Sequence, residues 1–476
     1  MLKTGVILIT FIIAGWFLLT FKLTDVPPGI NGDEAAIGLN AIYVAKDGYD
    51  LKGNFLPIFT SLPDSSDWKQ PITFYSEVLA FKFFGPSYFT LRAVSVFYVL
   101  LSAVLIFSLI KMLLGRFLAS LGVLLFLTTP IMVIQSHLAM ENIAPIPFVI
   151  LWLIGILKYS QQGKERYLVL MGLSLIAAFY SYLGMRLMVP ILFLLSAALI
   201  LYANRQKKLK VLLRQEIIFA VLFIPFAISL LFFKNQYPGS LWGLYRPYIV
   251  DSYQTFFLPY FSNFDPSFLY IFGDTTPYHS TGKYGMFLIA TLPLFILGII
   301  KIVKLNQLIP NFIILSFFLP PILFGFGSTI HRASRLLGLV PVYVIICCYG
   351  LIFLLEYKRI FKVPILFVGV LLIFLNFSDF IKDYWFEYPK RVQSEFARPY
   401  HLGFEKLYEE SKKHNLIPLV QNDLHMQNST AFSFFELTFF PQPVKKWSNL
   451  EKIPPRSAIL IGSGSDFRIM INKNDR

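Results

Sequence analysis

Only two of the 476 residues are cysteine, and they are adjacent, Cys347 and Cys348, inside an apolar stretch. Neighbours on a helix point in different directions, so these read as inert core thiols and no disulfide framework exists. Charge is scarce as well. Asp, Glu, Lys and Arg make up 14% of the chain, against about 25% in soluble domains. Acids are outnumbered by bases, 27 to 42, which leaves a net charge of +15. No internal repeat is visible, so an inverted-repeat transporter has no support in the sequence. No small-residue cleavage motif lies between the first apolar run and Pro27-Pro28, so Lys3 and the run to Phe21 read as a retained span. Gly462-Ser463-Gly464 is too short for a dinucleotide fingerprint and reads as a plain turn.

What the chain has instead is apolar length. Hydrophobic residues make up 56% of it, in recurring runs of roughly 20, each long enough to cross a ~30 Å hydrocarbon core as a helix. Eleven spans are expected, near 4–23, 90–110, 117–134, 143–158, 167–183, 187–203, 216–233, 286–303, 309–326, 336–355 and 363–380. The fold class is an all-α polytopic membrane protein. The last hundred residues read differently. Glu405–Lys413 has a helical pattern, and Leu416–Val420 and Ser457–Ile461 are short strands. The expected division is a membrane domain, 1–380, with outer loops 24–89 and 234–285, followed by a small α/β domain, 381–476.

The basic residues set the orientation. With the N-terminus in the cytoplasm, Lys111 and Arg116, then Lys158, Lys164 and Arg166, then Arg205, Lys207, Lys208, Lys210 and Arg214 fall in short cytoplasmic loops. Lys301 and Lys304, and finally Lys358, Arg359 and Lys362, continue the pattern. The positive charge is therefore a topology signal in a multi-pass plasma-membrane protein, and a nucleic-acid partner is not implied. All six histidines (His137, His279, His331, His401, His414 and His425) fall on the opposite, extracytoplasmic face. So do Asp33, Glu34, Lys69, Glu141, Arg186 and the C-terminal domain.

That face carries the candidate chemistry. Pro27-Pro28-Gly29 breaks the chain at the membrane surface, and Asn31-Gly32 turns it into a helical pattern that opens with Asp33-Glu34. Capping of that helix by Asn31 or Asp33 explains the acids as well as catalysis does, and the two are compatible, since a cap is a rigid mount for a base. Asp67-Trp68-Lys69-Gln70-Pro71 offers a lysine that either snorkels beside an aromatic belt or binds a lipid-linked phosphate. Arg92 is an anchor or a phosphate ligand. His137 and Glu141 share an i, i+4 spacing, but two ligands do not make a metal site, and a polar role is favoured. Tyr180 and Tyr182 suit an interfacial belt, and Arg186 so near hydrocarbon calls for an anionic partner. Trp242, Tyr245, Tyr248, Tyr253, Phe256, Phe257, Tyr260, Phe261 and Phe264 form an interfacial belt or a flexible wall around an amphipathic substrate. Asp274 and His279 follow. His331, Arg332 and Arg335 lie on the outer side against the positive-inside trend, which points to an anionic ligand.

Taken in order, these elements resemble the GT-C superfamily of polytopic glycosyltransferases, most nearly the branch of the protein O-mannosyltransferases and lipid A aminoarabinose transferases. The likeness covers about residues 20–350. It rests on Asp33-Glu34, Lys69-Gln70-Pro71, Phe84-Gly85 with Arg92, Tyr180-Ser-Tyr182 with Arg186, Phe268-Leu with Gly273-Asp274 and His279-Ser280, and His331-Arg332 with Arg335 through Pro341. Gln70 stands where the commoner motif has proline.

The resemblance implies a polyprenyl-phosphate-linked sugar as donor and a single inverting transfer to an extracytoplasmic acceptor: a protein, a lipid or a cell-envelope glycan. It implies Asp33 as general base, with Glu34 helping to position substrate. Lys69, Arg92, Arg186, His331, Arg332 and Arg335 would hold the donor phosphate. Glu141, Tyr180, Tyr182, Asp274 and His279 would line the substrate. No complete metal-ligand set stands out, and a divalent cation is left open. So is the oligomeric state. The competing readings are a transporter or flippase for a lipid-linked glycan, which needs ionisable groups at mid-depth in the spans, and a ligase with another donor.

Overall fold

The computed structural model describes residues 2–63, 65, 67–241, 252–327, 330–356, 359–422, 429–463 and 466–474. His425, Lys358, Gly464 and the loop aromatics Trp242, Tyr245 and Tyr248 lie outside them. Each expected span falls on a helix. Among the described residues, seven helices are long and apolar enough to cross a membrane: Tyr88–Leu114, Glu141–Gln162, Met185–Asn204, Leu209–Gln236, Leu308–Phe326, Ala333–Leu355 and Val363–Arg391. An eighth is the pair Arg116–Leu127 and Pro130–Ser136, bent by 59°. Thr128-Thr129 followed by Pro130 explains the bend, because proline supplies no N–H to the preceding turn. The other expected spans fall on shorter helices: Gly5–Thr20, Arg166–Ser181 and Leu292–Leu305. The chain is a multi-pass membrane protein. Leu209–Gln236 and Val363–Arg391 are scarcely covered by protein, so their apolar side chains need lipid around them.

The segment 24–89 is mostly helical. Gly32–Asp47 and Pro71–Phe84 pack side by side between the first span and Tyr88. Phe83 and Phe84 at the end of the second helix are 76% and 82% exposed, as suits a helix lying at the lipid surface. In the segment before residue 285, Tyr253–Ser262 rests on the 3-10 helix Pro320–Phe326, with Phe256 against Phe326.

Among the described residues the C-terminal segment has the expected helix, longer at Arg398–His414, a further helix Thr430–Phe439, and four strands. These are β1 (Ile417–Gln421), β2 (Lys445–Trp447), β3 (Ser457–Ser463) and β4 (Asp466–Asn472). Their order is β2-β1-β3-β4. The β1 strand runs parallel to both neighbours, and β3–β4 is an antiparallel hairpin.

This domain does not hang free of the membrane part. Phe404, Phe432, Phe434 and Phe435 share one hydrophobic core with Ile30, Ala35, Ala41, Phe74 and Leu91. Gly38 allows the closest approach: a methyl group there would stand 2.6 Å from the Phe434 ring. The Ala397 N–H also donates to the Ile30 carbonyl at 2.9 Å. The domain is therefore fixed to the Gly32–Asp47 helix, whose first turn carries Asp33.

Candidate active site

Asn31 caps the Gly32–Asp47 helix. Its Oδ1 accepts the Glu34 N–H at 2.9 Å, and Glu34 Oε2 accepts the Asn31 N–H at 3.1 Å, a reciprocal capping box. Glu34 is fully buried, and its Oε1 also accepts the Ala139 N–H and Arg92 Nε. Arg92, equally buried, completes its fork on the carbonyls of Leu23, Pro27 and Gly29 and on Glu34 Oε2. All five guanidinium donors are taken. Arg92 is thus a clamp beneath the cap, with no N–H left for the donor phosphate expected of it, and Glu34 is its counter-ion. The capping and catalytic readings of Asp33-Glu34 divide between the two residues: Glu34 is internal, and the Asp33 side chain is 47% exposed.

Asp33 meets Lys69. The Lys69 ammonium lies 2.6 Å from Asp33 Oδ1 and 2.6 Å from Asp67 Oδ2. Its backbone N–H is pinned to the Thr60 carbonyl, also at 2.6 Å, which holds the lysine at the mouth of the Pro71 helix. Burial opposes the Asp33 charge, but the Lys69 cation and its hydrogen bond outweigh that and hold the carboxyl below its ordinary value. Burial likewise opposes the Lys69 charge, and Asp33, Asp67 and Glu141 overcome it, so the ammonium binds its proton more tightly than a free lysine. Both groups are ionised at neutral pH. Next to them, the Gln70 N–H donates to Glu141 Oε1, and Arg186 donates to Gln70 Oε1 and the Ser240 carbonyl. Asp33, Lys69, Glu141 and Arg186 therefore form one cluster.

A second group adjoins it. Asp274 accepts the Ala333 N–H at 2.6 Å and lies 3.6 Å from Arg332. His279 Nδ1 accepts from Gln135, whose carbonyl accepts from Asn142, the neighbour of Glu141. Burial pulls the His279 imidazole below its ordinary value. Asp274 and Asp33 act against that, and Arg332 adds to it, so His279 is a neutral ring between the two groups. Tyr182 reaches Ser334 at 3.3 Å and ties the Arg186 turn to the same segment.

Other expected members have partners of their own. Tyr180 bonds Ser229 and packs among Phe59, Phe226 and Phe233, as a belt residue does. His331 stacks on Phe268 and pairs with Asp265 at 3.0 Å. Arg335 lies against the Phe324 ring, 5.8 Å from its centre. His137 is not aligned with Glu141: the helix ends at Ser136, and His137 Nδ1 turns to the Val26 carbonyl at 2.8 Å. Among the described residues no group of three or more His, Cys, Asp or Glu is placed to hold a metal ion.

Two participants emerge only from the structure. Asp67 is the second counter-ion of Lys69; its only sequence signal is its place two residues before the lysine. Gln135 is a fully buried amide in an otherwise apolar segment, and that polarity is a usable signal.

The chain as a whole has structural counterparts. The model of the dolichyl-phosphate-mannose-protein mannosyltransferase family matches residues 69–229. The crystal structure of ArnT from Cupriavidus metallidurans in the apo state superposes with a TM-score of 0.57 at 12% identity, over 94% of this chain and 87% of that one. The same protein bound to undecaprenyl phosphate gives 0.54 at 11% identity, over 93% and 85%. The archaeal oligosaccharyltransferase AglB from Archaeoglobus fulgidus, in complex with an inhibitory peptide and a dolichol-phosphate, gives 0.53 at 12% identity, over 94% of this chain but 64% of that one. No curated protein sequence matches at a significant level. The fold is the one these two proteins share, the GT-C fold, as the motifs implied.

Proposed function

We propose that this protein is a membrane glycosyltransferase that takes a sugar from a polyprenyl-phosphate carrier and transfers it, with inversion, to an acceptor on the extracytoplasmic face. The observation that carries this reading is the pairing of the half-exposed Asp33 carboxylate with the buried Lys69 ammonium in a GT-C fold. The ligands bound in the structural counterparts, undecaprenyl phosphate and dolichol-phosphate, support the donor class. The matched mannosyltransferase family supports the transfer.

The chemistry follows from the two charges. In the resting arrangement the Lys69 ammonium is shared by Asp33 and Asp67. A donor phosphate competes for it. When Lys69 turns to the phosphate, the leaving group gains a cation, and Asp33 loses the partner that lowers its proton affinity. The freed carboxylate then takes the proton of an acceptor hydroxyl. The hydroxyl oxygen bonds to the anomeric carbon from the face opposite the phosphate, and the bond between that carbon and the phosphate oxygen breaks with its electrons going to the phosphate. Glu34 and Arg92 hold the Asp33 helix cap in place. Arg186 fixes Gln70, the neighbour of Lys69. Arg332, with His279 and Asp274, forms a second wall.

The test is transfer of radiolabelled sugar from a synthetic polyprenyl-phosphate sugar by the purified protein in nanodiscs, with a membrane extract as acceptor source. Labelled product supports the reading. Movement of the labelled lipid across vesicles without any product would replace it with transport.

A further inference from the structure

The stretch 272–288 carries Asp274 and His279, yet it forms neither helix nor strand. Such a segment takes its position from the scaffold that holds it. Here the scaffold is the outer end of the last span, and the contacts run back along the stretch from Ala290 to Pro277. Asn376 Oδ1 accepts the Ala290 N–H at 3.2 Å, and Asp379 accepts the Tyr284 hydroxyl. Asp383 pairs with Lys283 at 3.3 Å. Tyr388 donates to the Pro277 carbonyl at 2.6 Å, and Arg391 to the Thr281 carbonyl at 3.1 Å. Beyond the span, the Glu395 carbonyl accepts the Tyr278 hydroxyl at 3.4 Å, and Phe396 meets the Tyr278 ring edge-on.

Asp383 is the centre of this strap. Its side chain is 7% exposed, and it accepts both forked nitrogens of Arg391, at 2.8 and 2.7 Å. The two residues are about 12 Å apart along the axis of an α-helix, and the π-helical turn Asp383–Glu387 lies between them. Such turns are rare and gather at functional sites. Stability alone does not call for the pair, since apolar residues of similar volume often serve as well in place of a buried ion pair. What a carboxylate–guanidinium fork adds is one fixed geometry. The strap then reaches the other wall of the site. A few residues on, the Ala397 N–H donates to the Ile30 carbonyl at 2.9 Å. Gly29 has no room for a side chain at this crossing, because a methyl group would stand 2.5 Å from the Arg398 nitrogen. Ile30 leads directly into the Asn31 cap that mounts Asp33.

We infer that Asp383 and Arg391 are positioning residues for the transfer reaction, because they fasten the stretch with His279 and Asp274 to the same length of chain that crosses to Ile30. The inference rests on the proposed transfer reaction. Neither residue touches the Asp33–Lys69 pair. They act through the spacing of the two walls: one wall carries the base and the lysine, and the other carries His279, Asp274 and, through Asp274, Arg332. The segment that leaves the last span is then more than a linker to the C-terminal domain. It sets the width of the site.

The experiment uses full-length protein in nanodiscs and follows transfer from a synthetic polyprenyl-phosphate sugar. Asp383→Asn and Arg391→Ala are each expected to lower kcat about 10²-fold, as a misplacement of about 1 Å can. KM for the donor and undecaprenyl phosphate affinity should stay at the wild-type level, because the strap does not hold Lys69. Guanidinium ion at millimolar concentration should restore turnover to Arg391→Ala and not to Asp383→Asn, a rescue that a general loss of stability would not show. Amide hydrogen exchange within 277–284 should quicken in both variants. Should a single variant fail to fold, the double variant Asp383→Leu with Arg391→Leu takes its place, since it buries no unpaired charge of the pair. Wild-type kcat in the variants, or unchanged exchange within 277–284, overturns the inference. So does a loss of kcat that follows donor affinity and thermal stability and that guanidinium does not relieve. A wild type that transfers no labelled sugar is a different failure: it overturns the transfer reading, and this inference with it.

Discussion

Lys69 Nζ lies 2.6 Å from Asp33 Oδ1, although 36 residues separate the two in the chain. The capped Gly32–Asp47 helix presents the carboxylate, and the turn before Pro71 presents the ammonium. In the proposed reaction this pairing holds back the base until a donor phosphate takes Lys69, and that exchange would have a signature in pH.

Asp33 is held below its ordinary value of 3.8 and Lys69 above its ordinary 10.5. A depressed carboxyl contributes stability that is present above the unfolded value and lost as pH falls through the folded one. A raised lysine contributes stability that is present below its unfolded value and lost as pH rises through the folded one. Neither change falls near neutrality. The acid limb of kcat/KM for the donor, which reports the free enzyme, is therefore expected below 3.8. The acid limb of kcat, which reports the donor complex, is expected at higher pH, because Lys69 has moved to the phosphate. Full pH–rate profiles at saturating and limiting donor check this, and coincident limbs contradict the exchange.

The Arg92 clamp should matter more for folding than for donor affinity. Arg92→Met leaves Glu34 buried without its counter-ion, which costs about 3–5 kcal/mol when one partner of a buried pair is removed. The double variant Arg92→Met with Glu34→Gln should recover part of the loss. Thermal unfolding in detergent, read by tryptophan fluorescence, measures both. Equal destabilisation by the single and double variants would argue against the pair.

Gly38 permits the C-terminal domain to dock. Gly38→Leu would force a side chain into the Phe434 ring and is expected to cost about 1–3 kcal/mol through overpacking. The readout is faster proteolysis within 392–474, with the membrane bundle left intact. Wild-type protease resistance would mean that the domain is held by something other than this contact.

Part of this is legible in the sequence, and the reasons differ by residue. The spans are readable because each is a long apolar run, and the cap at Asn31 because its signal is local. The partnership of Asp33 with Lys69 follows from a shared face and a motif order, and no spacing rule gives a distance of 2.6 Å. Arg92 misleads because a lone arginine at a span end looks alike whether it meets a ligand or a carboxylate 58 residues away. Asp67 and Gln135 escape notice because their partners, Lys69 and His279, are set by how the helices pack. Docking of the C-terminal domain depends on Gly38, where the informative feature is a missing side chain.

The orientation has its own check. The native cysteines are buried, so single cysteines report cleanly. Cysteine at position 52, an exposed lysine in the first outer segment, should react with an impermeant maleimide on intact cells. Cysteine at position 208, also exposed, should react only after permeabilisation. The reverse pattern would place the Asp33 cluster in the cytoplasm.

The most direct measurement sets two variants side by side in one preparation: undecaprenyl phosphate affinity and sugar transfer for Asp33→Asn and Lys69→Met. Asp33→Asn is expected to bind the lipid phosphate at least as well as wild type while turnover falls by about 10²–10⁴, the usual contribution of a general base. Lys69→Met should lose lipid-phosphate affinity as well as turnover. Near-wild-type turnover in Asp33→Asn, or undiminished affinity in Lys69→Met, would contradict the division of work between the two residues.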